Sequence, residues 1–273
     1  MAESISLGME WRQINFWCYT PSQTKAQNLV KKIAQKGGQA EFLPTLKALY
    51  QKLQSESLYL VIIGCKPQQF PSLIKDLRSE KILTHPQFQK ATALSIMAGV
   101  SLSLLKKSWG KVVVRLMPNT PSKIGQGVLL FSCGDKIETE LLDLFKPCGL
   151  THYCQDEEEL KTLTPFCASG PGLFFKIIEL WQKDLEKRGI SQNFSSKLLA
   201  KTMQGSGQML FESKESAQAL CHQVTSKGGV TFAALQILEE NKIETIFNQA
   251  FFAALKRNNE IEELITVDLG KEL

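Results

Sequence analysis

The chain has 273 residues, 43% hydrophobic and 22% charged, ordinary values for a globular protein with a real core. This excludes a disordered chain, a collagen-like repeat and a small disulfide-stapled scaffold, and it leaves room for one large or two ordinary domains. With 32 Lys plus Arg against 27 Asp plus Glu, the formal charge of +5 is too weak to point to nucleic acid or a membrane surface.

The apolar stretches run to about eight residues, far short of the roughly 20 that span a bilayer. No basic segment followed by an apolar one opens the chain, so a cytoplasmic location is expected. The seven cysteines include no C-x-x-C pair and read as reduced thiols. The three histidines, His85, His152 and His222, have no ligand spacing, and no protein metal site is expected.

In chain order, the sequence opens in a helical stretch, Ala2–Met9, and nowhere shows strand, G-x-G-x-x-G, helix. Apolar runs predict strands at Ile14–Tyr19, Leu58–Cys65, Ala93–Met97, Val112–Leu116 and Gly127–Ser132. Between the first two, helical spacing marks Thr24–Gln35, with Ala26, Leu29, Val30 and Ile33 on one face, and Leu43–Leu53. Strands alternating with helices predict a doubly wound parallel sheet covered on both faces, which places ligands at the carboxyl ends of its strands.

After about residue 155 only helices are expected: Gly172–Lys187, Gln192–Phe211 capped by Ser191, Ala217–Val224, Phe232–Glu240 and Ile243–Arg257. Gly172–Lys187 is too apolar for a one-faced surface helix, so its own domain or a partner subunit should cover it. The domain border is expected between Tyr153 and Leu163.

Three segments break local structure where chemistry is placed. Gly64-Cys65-Lys66-Pro67 follows a strongly apolar strand and reads as a plain proline stop or as a backbone floor for a nucleotide. Arg115 to Pro121 holds Asn119-Thr120 between two prolines, either an Asx turn or a polar ligand contact. Ser226-Lys227-Gly228-Gly229-Val230-Thr231 precedes an apolar helix. It reads as a helix–helix turn or as a seat for a carboxylate or phosphate on outward N–H groups.

Read in order, these segments resemble pyrroline-5-carboxylate reductase. The carrying residues are Met1-Ala2-Glu3-Ser4, Cys65-Lys66-Pro67-Gln68, Met97-Ala98-Gly99-Val100-Ser101, Met117-Pro118-Asn119-Thr120-Pro121, Ser169-Gly170-Pro171-Gly172 and Ser226–Thr231. The resemblance implies a Rossmann-like cofactor domain at 1–155 and an all-α domain at 156–273 that intertwines with a second subunit. A homodimer is therefore expected, with higher oligomers left open.

The resemblance also implies that Met1, Ser22, Gly64, Cys65, Lys66, Pro67, Ile96, Met97, Ala98 and Asn119 bind the cofactor. Ser226, Gly228, Gly229, Val230 and Thr231 would bind a small-molecule substrate, with Thr231 as an orienting catalytic residue. The implied reaction is hydride transfer from a reduced nicotinamide to the C=N carbon of 1-pyrroline-5-carboxylate, giving L-proline. Cys18–Lys25 carries hydroxyls and a lysine but no carboxylate, which favours NADPH over NADH.

The sequence departs from the family pattern in places. Met1-Ala2 aligns with the Met-Ala after the family's glycine loop, so the first strand and both glycines are expected to be missing. Their loss would leave two sheet edges unpaired. The two explanations expected are a protein that begins roughly ten residues earlier and a non-catalytic homologue that keeps the dimeric fold but binds cofactor poorly. Lys227 stands where the family has proline, Leu173 where an aromatic is usual, and Lys161 and Lys214 where acids are expected. These changes leave open a related imine reductase for another small acid.

Overall fold

A computed structural model of the chain describes residues 1–9, 14–109, 113–134 and 137–272. Val112, the first residue of a predicted strand, lies outside them. The described residues form two compact units: Met1–Ser169 with Ala254–Leu273, and Gly170–Ala253.

The first unit opens with α1 (Ala2–Gly8), β1 (Asn15–Cys18), α2 (Gln23–Gln35), β2 (Gln39–Phe42), α3 (Leu46–Ser55) and β3 (Leu60–Ile63). It continues with α4 (Phe70–Ser79), α5 (Pro86–Lys90), β4 (Thr92–Ser95), α6 (Leu102–Trp109), β5 (Val113–Pro118) and β6 (Gly127–Cys133). It closes with α7 (Thr139–Asp143), β7 (Gly149–Tyr153) and α8 (Glu157–Thr164). All five strands read from apolar runs are present. β2 and β7 escaped notice because both are short edge strands with much of their length exposed, and neither contains an apolar run.

The strands form two sheets. β1 and β2 pair in parallel, and β3-β4-β5-β6-β7 form a five-stranded sheet. Among the described residues no ladder joins β1 to β3. One expectation is corrected here: β6 runs antiparallel to β5. The connection between them is a short 3-10 turn, Thr120–Ile124, closed by Gly125 at φ 73°. A parallel return needs a crossover of a dozen or more residues, which this turn is too short to supply.

Pleating divides the strands between two cores, as in a sheet covered on both faces. Ala93 and Val113 join Phe70, Ile74, Leu105 and Trp109, with Ile265 and Leu269 from near the C-terminus. Leu94 and Val114 join Ile5 and Leu7 of α1, Ile33 of α2, Phe131 and Phe145. α1 is tied to α2 by Lys32 Nζ–Glu3 Oε1 at 2.6 Å and by Lys36 Nζ donating to the Leu7 carbonyl.

A two-stranded sheet is marginal by itself, whereas β4 and β5 are each flanked on both sides. Amide hydrogen exchange in β1 and β2 is therefore expected to be at least about tenfold faster than in β4 and β5. Equal protection would show that the smaller sheet is not an independent opening unit.

The second unit is helical: α9 (Gly170–Lys187), α10 (Gln192–Glu212), α11 (Ala217–Gln223), α12 (Val230–Glu240) and the start of α13 (Ile243–Glu272). Ser191 caps α10 as expected, its hydroxyl oxygen accepting from Phe194 N. Gln182 Nε2 donates to Ser196 Oγ at 3.0 Å and links α9 to α10. One of the two covers expected for α9, its own domain, is not supplied. Phe174, Phe175, Leu180 and Trp181 are each more than half exposed.

Candidate active site

The carboxyl ends of β3 and β4 lie side by side, in register at Ile63 and Ser95, and the Ile96 amide donates to the Ile63 carbonyl at 3.1 Å. Both chains leave the sheet at this point. β3 passes into Gly64-Cys65-Lys66-Pro67, where Pro67 opens a 3-10 turn and so stops the strand. β4 passes into buried Ile96 and Met97, and Gly99 turns the chain at φ 69°.

The start of α1 meets these two ends. A Cβ on Gly64 would stand 2.8 Å from Ala2 Cβ and 3.3 Å from Ile96 Cδ1, so only glycine leaves the space that these neighbours share. The Cys65 thiol donates to Met97 Sδ at 3.6 Å. Burial pushes that thiol up to about 11, so it stays protonated at neutral pH and is not a nucleophile. The structure thus groups Met1-Ala2, Gly64-Cys65 and Ile96-Met97 at one place, with Lys66 exposed beside them.

The other predicted cofactor residues lie elsewhere in the unit. Ala98 follows Met97 in the same loop and packs against the small cluster around Met117 and Leu130. Ser22 occupies the N-cap position of α2, after β1 of the smaller sheet. Asn119 is buried, and its side-chain oxygen accepts from Val128 N at 3.0 Å, locking the end of β5 to the start of β6. That oxygen has a structural partner.

Two supports of this strand-end region were not legible in the sequence. Arg115 is almost wholly buried in β5, and its Nη1 lies 2.6 Å from Glu157 Oε1 in the first turn of α8. The same oxygen accepts from Leu102 N at 2.7 Å, at the start of α6. One carboxylate therefore neutralises a buried guanidinium and satisfies an amide at a helix start, joining three elements behind the β4 loop. The second support is contact of that loop with α13: a Cβ on Gly99 would stand 2.6 Å from Ile261 Cγ2 and 3.0 Å from the Asn258 carbonyl.

In the helical unit, Ser226–Gly229 form a closed turn. The Gly229 amide donates to the Ser226 carbonyl at 2.9 Å, and Gly228 takes φ 71°. Gly229 is the N-cap of α12, and the first ladder bond runs from Ala233 N to its carbonyl at 3.1 Å. The amides of Val230, Thr231 and Phe232 belong to the helix start, where N–H groups lack intrahelical acceptors. Val230 is 92% exposed, which leaves this end of α12 open to a ligand. The five predicted substrate residues are thus brought together in one turn.

The fold has solved counterparts. It is similar to a pyrroline-5-carboxylate reductase from Streptococcus pyogenes, with a TM-score of 0.77 and 23% identity, covering 95% of each chain. It is also similar to a pyrroline carboxylate reductase from Plasmodium falciparum solved with NADP bound, with a TM-score of 0.75 and 20% identity over 96% of each chain. These likenesses define a mixed α/β protein with a mostly parallel sheet and a C-terminal helical part.

Sequence relatives narrow the class. The chain is 32% identical to the pyrroline-5-carboxylate reductase of Haemophilus influenzae over 212 residues, 75% of this chain and 76% of that protein. It is 30% identical to pyrroline-5-carboxylate reductase 1 of Bacillus subtilis over 221 residues, covering 79% and 72%. A family profile for pyrroline-5-carboxylate reductase dimerisation matches residues 157–261. The chain belongs to the pyrroline-5-carboxylate reductase family.

Proposed function

We propose that this chain reduces 1-pyrroline-5-carboxylate to L-proline with NADPH, using residues 1–155 for the cofactor and 156–273 for substrate and dimerisation. The observation that carries the reading is the convergence of Ala2, Gly64 and Ile96 at the sheet end, in a chain of this family. The residues fit a nicotinamide dinucleotide. Gly64 lets the start of α1 and Ile96 close against the strand end, Met97 and Ile96 form an apolar floor, and Lys66 is exposed beside them to meet phosphate charge. The segment Cys18–Lys25 has no carboxylate to repel a 2′-phosphate. When bound, the reduced cofactor supplies the hydride.

The chain's own residues bind and orient. The amides of Val230 and Thr231 hold the substrate carboxylate, aided by the partial positive charge of the α12 start. The Thr231 hydroxyl fixes the ring nitrogen, which carries the proton that makes the C=N carbon electrophilic. Positioning of this kind supplies several kcal/mol without an obligatory acid or base. The exposed apolar residues of α9 are covered by a second copy of the chain, so a dimer is expected in sedimentation and a clean monomer would count against it.

Thr231→Ala is expected to lower kcat/KM about tenfold, the worth of one oriented hydrogen bond, while the sedimentation coefficient stays that of the unmodified protein. Thr231→Ser should restore most of the loss, and unchanged kinetics in the alanine variant would remove the residue from the site.

The two-piece sheet favours a second reading, a dimeric homologue that binds cofactor poorly. NADPH fluorescence titration separates the two. Micromolar binding with turnover of pyrroline-5-carboxylate supports the reductase, and no binding supports the homologue.

A further inference from the structure

At the end of β7, three side chains that the proposed reaction does not use come together. His152 lies in β7, Cys154 directly after it, and Glu159 in the first turn of α8. Their nitrogen, sulfur and oxygen ligand atoms all lie within 4.8 Å of one another. Sequence spacing gave no reason to expect this, because H-x-C followed five residues later by Glu matches no common ligand pattern. We propose that His152, Cys154 and Glu159 form a binding site for a divalent transition-metal ion of zinc character.

The donor set selects the ion. One thiolate, one imidazole and one carboxylate suit Zn²⁺ and its spectroscopic stand-in Co²⁺, whereas Mg²⁺ and Ca²⁺ require oxygen ligands. Thiolate and carboxylate together carry two negative charges, which balance the ion's two positive charges and leave no net charge at the edge of the core.

The ligands are also held. Cys154 is anchored by its amide donating to the Phe131 carbonyl at 2.8 Å, and its side chain is buried among Met117, Leu130, Leu160 and Cys167. Glu159 is fixed at both ends: the Gln155 amide donates to its Oε2 at 2.6 Å, and its own amide donates to Asp156 Oδ1 at 2.8 Å. His152 Nε2 lies 2.8 Å from Glu159 Oε1, a hydrogen-bond distance a little shorter than the roughly 3.3 Å between two ligands of a tetrahedral Zn²⁺. Closure then needs only a short inward shift of the two partly exposed side chains toward Sγ. Binding releases the thiol proton to solvent and forms the S–metal bond. Three protein ligands leave a fourth position for water.

The experiment uses the full untagged chain stripped with a chelator, titrated with Co²⁺ alone and then with Zn²⁺ in competition. One equivalent should saturate with a thiolate-to-cobalt charge-transfer band, and Zn²⁺ should displace it. Cys154→Ser is expected to abolish that band. His152→Ala and Glu159→Gln, which change partly exposed positions, should weaken Zn²⁺ binding at least about tenfold with unchanged far-UV circular dichroism. If the cysteine variant fails to fold, those two variants decide the matter. No saturable binding, or binding unaffected by His152→Ala, would overturn the site and reduce the cluster to an ion pair beside a buried thiol.

Discussion

Glu157→Ala is expected to destabilise the first unit by about 3 kcal/mol or more, because it leaves the Arg115 guanidinium buried without a counter-charge. Arg115 side-chain exposure is only 3%, so water cannot replace the carboxylate. The substitution also leaves the Leu102 amide without its acceptor at the start of α6. For a unit of this size the loss corresponds to a fall in Tm of roughly 6–12 °C. Glu157→Gln keeps an oxygen for Leu102 N and removes only the charge, so it should cost less. Arg115→Met in the Glu157→Ala background should recover much of the stability, since an apolar replacement of both partners leaves no orphaned charge. Thermal unfolding of the four proteins checks this. Equal Tm for Glu157→Ala and the unmodified chain would show that the pair contributes nothing.

Gly99→Ala should be nearly as damaging, at about 3 kcal/mol, from the left-handed backbone that disfavours any Cβ and from overlap with packed neighbours. The added carbon would lie 2.6 Å from Ile261 Cγ2 and 3.0 Å from a backbone carbonyl, so α13 or the loop must move. The loop carries Met97 and Ala98, and its displacement is expected to weaken NADPH binding as well as stability. Ile261→Ala in the same protein relieves the side-chain overlap but not the φ of 69°, so it should restore only part of the loss. Denaturant unfolding of the single and double variants separates the two contributions. Full rescue would mean that backbone conformation costs nothing here, and no rescue that Ile261 is not the obstacle.

Both effects reside where reading along the chain could not reach. Arg115 lies inside VVVRL, which reads simply as a strand, and its partner is 42 residues away on a helix. The His152 cluster escaped for a related reason: its members sit on a strand, a loop and a helix, and only the turn between β7 and α8 brings them together. Asn119 was legible as a polar residue between prolines. Its bond to Val128 N depends on β6 folding back against β5.

What the sequence determined by itself is the part of the protein written in local physics. Apolar runs marked five strands, helical spacing and a serine cap marked the C-terminal helices, and glycine and proline marked the strand ends where the candidate site lies. These signals are readable because they act through neighbours within a turn or a pleat. Tertiary structure decided the direction of β6, the division of the strands into two sheets, and the neighbours of Gly64 and Gly99. It also decided which buried charge meets which carboxylate. Those outcomes depend on contacts between residues far apart in the chain, where packing and the pairing of buried polar groups override local preference.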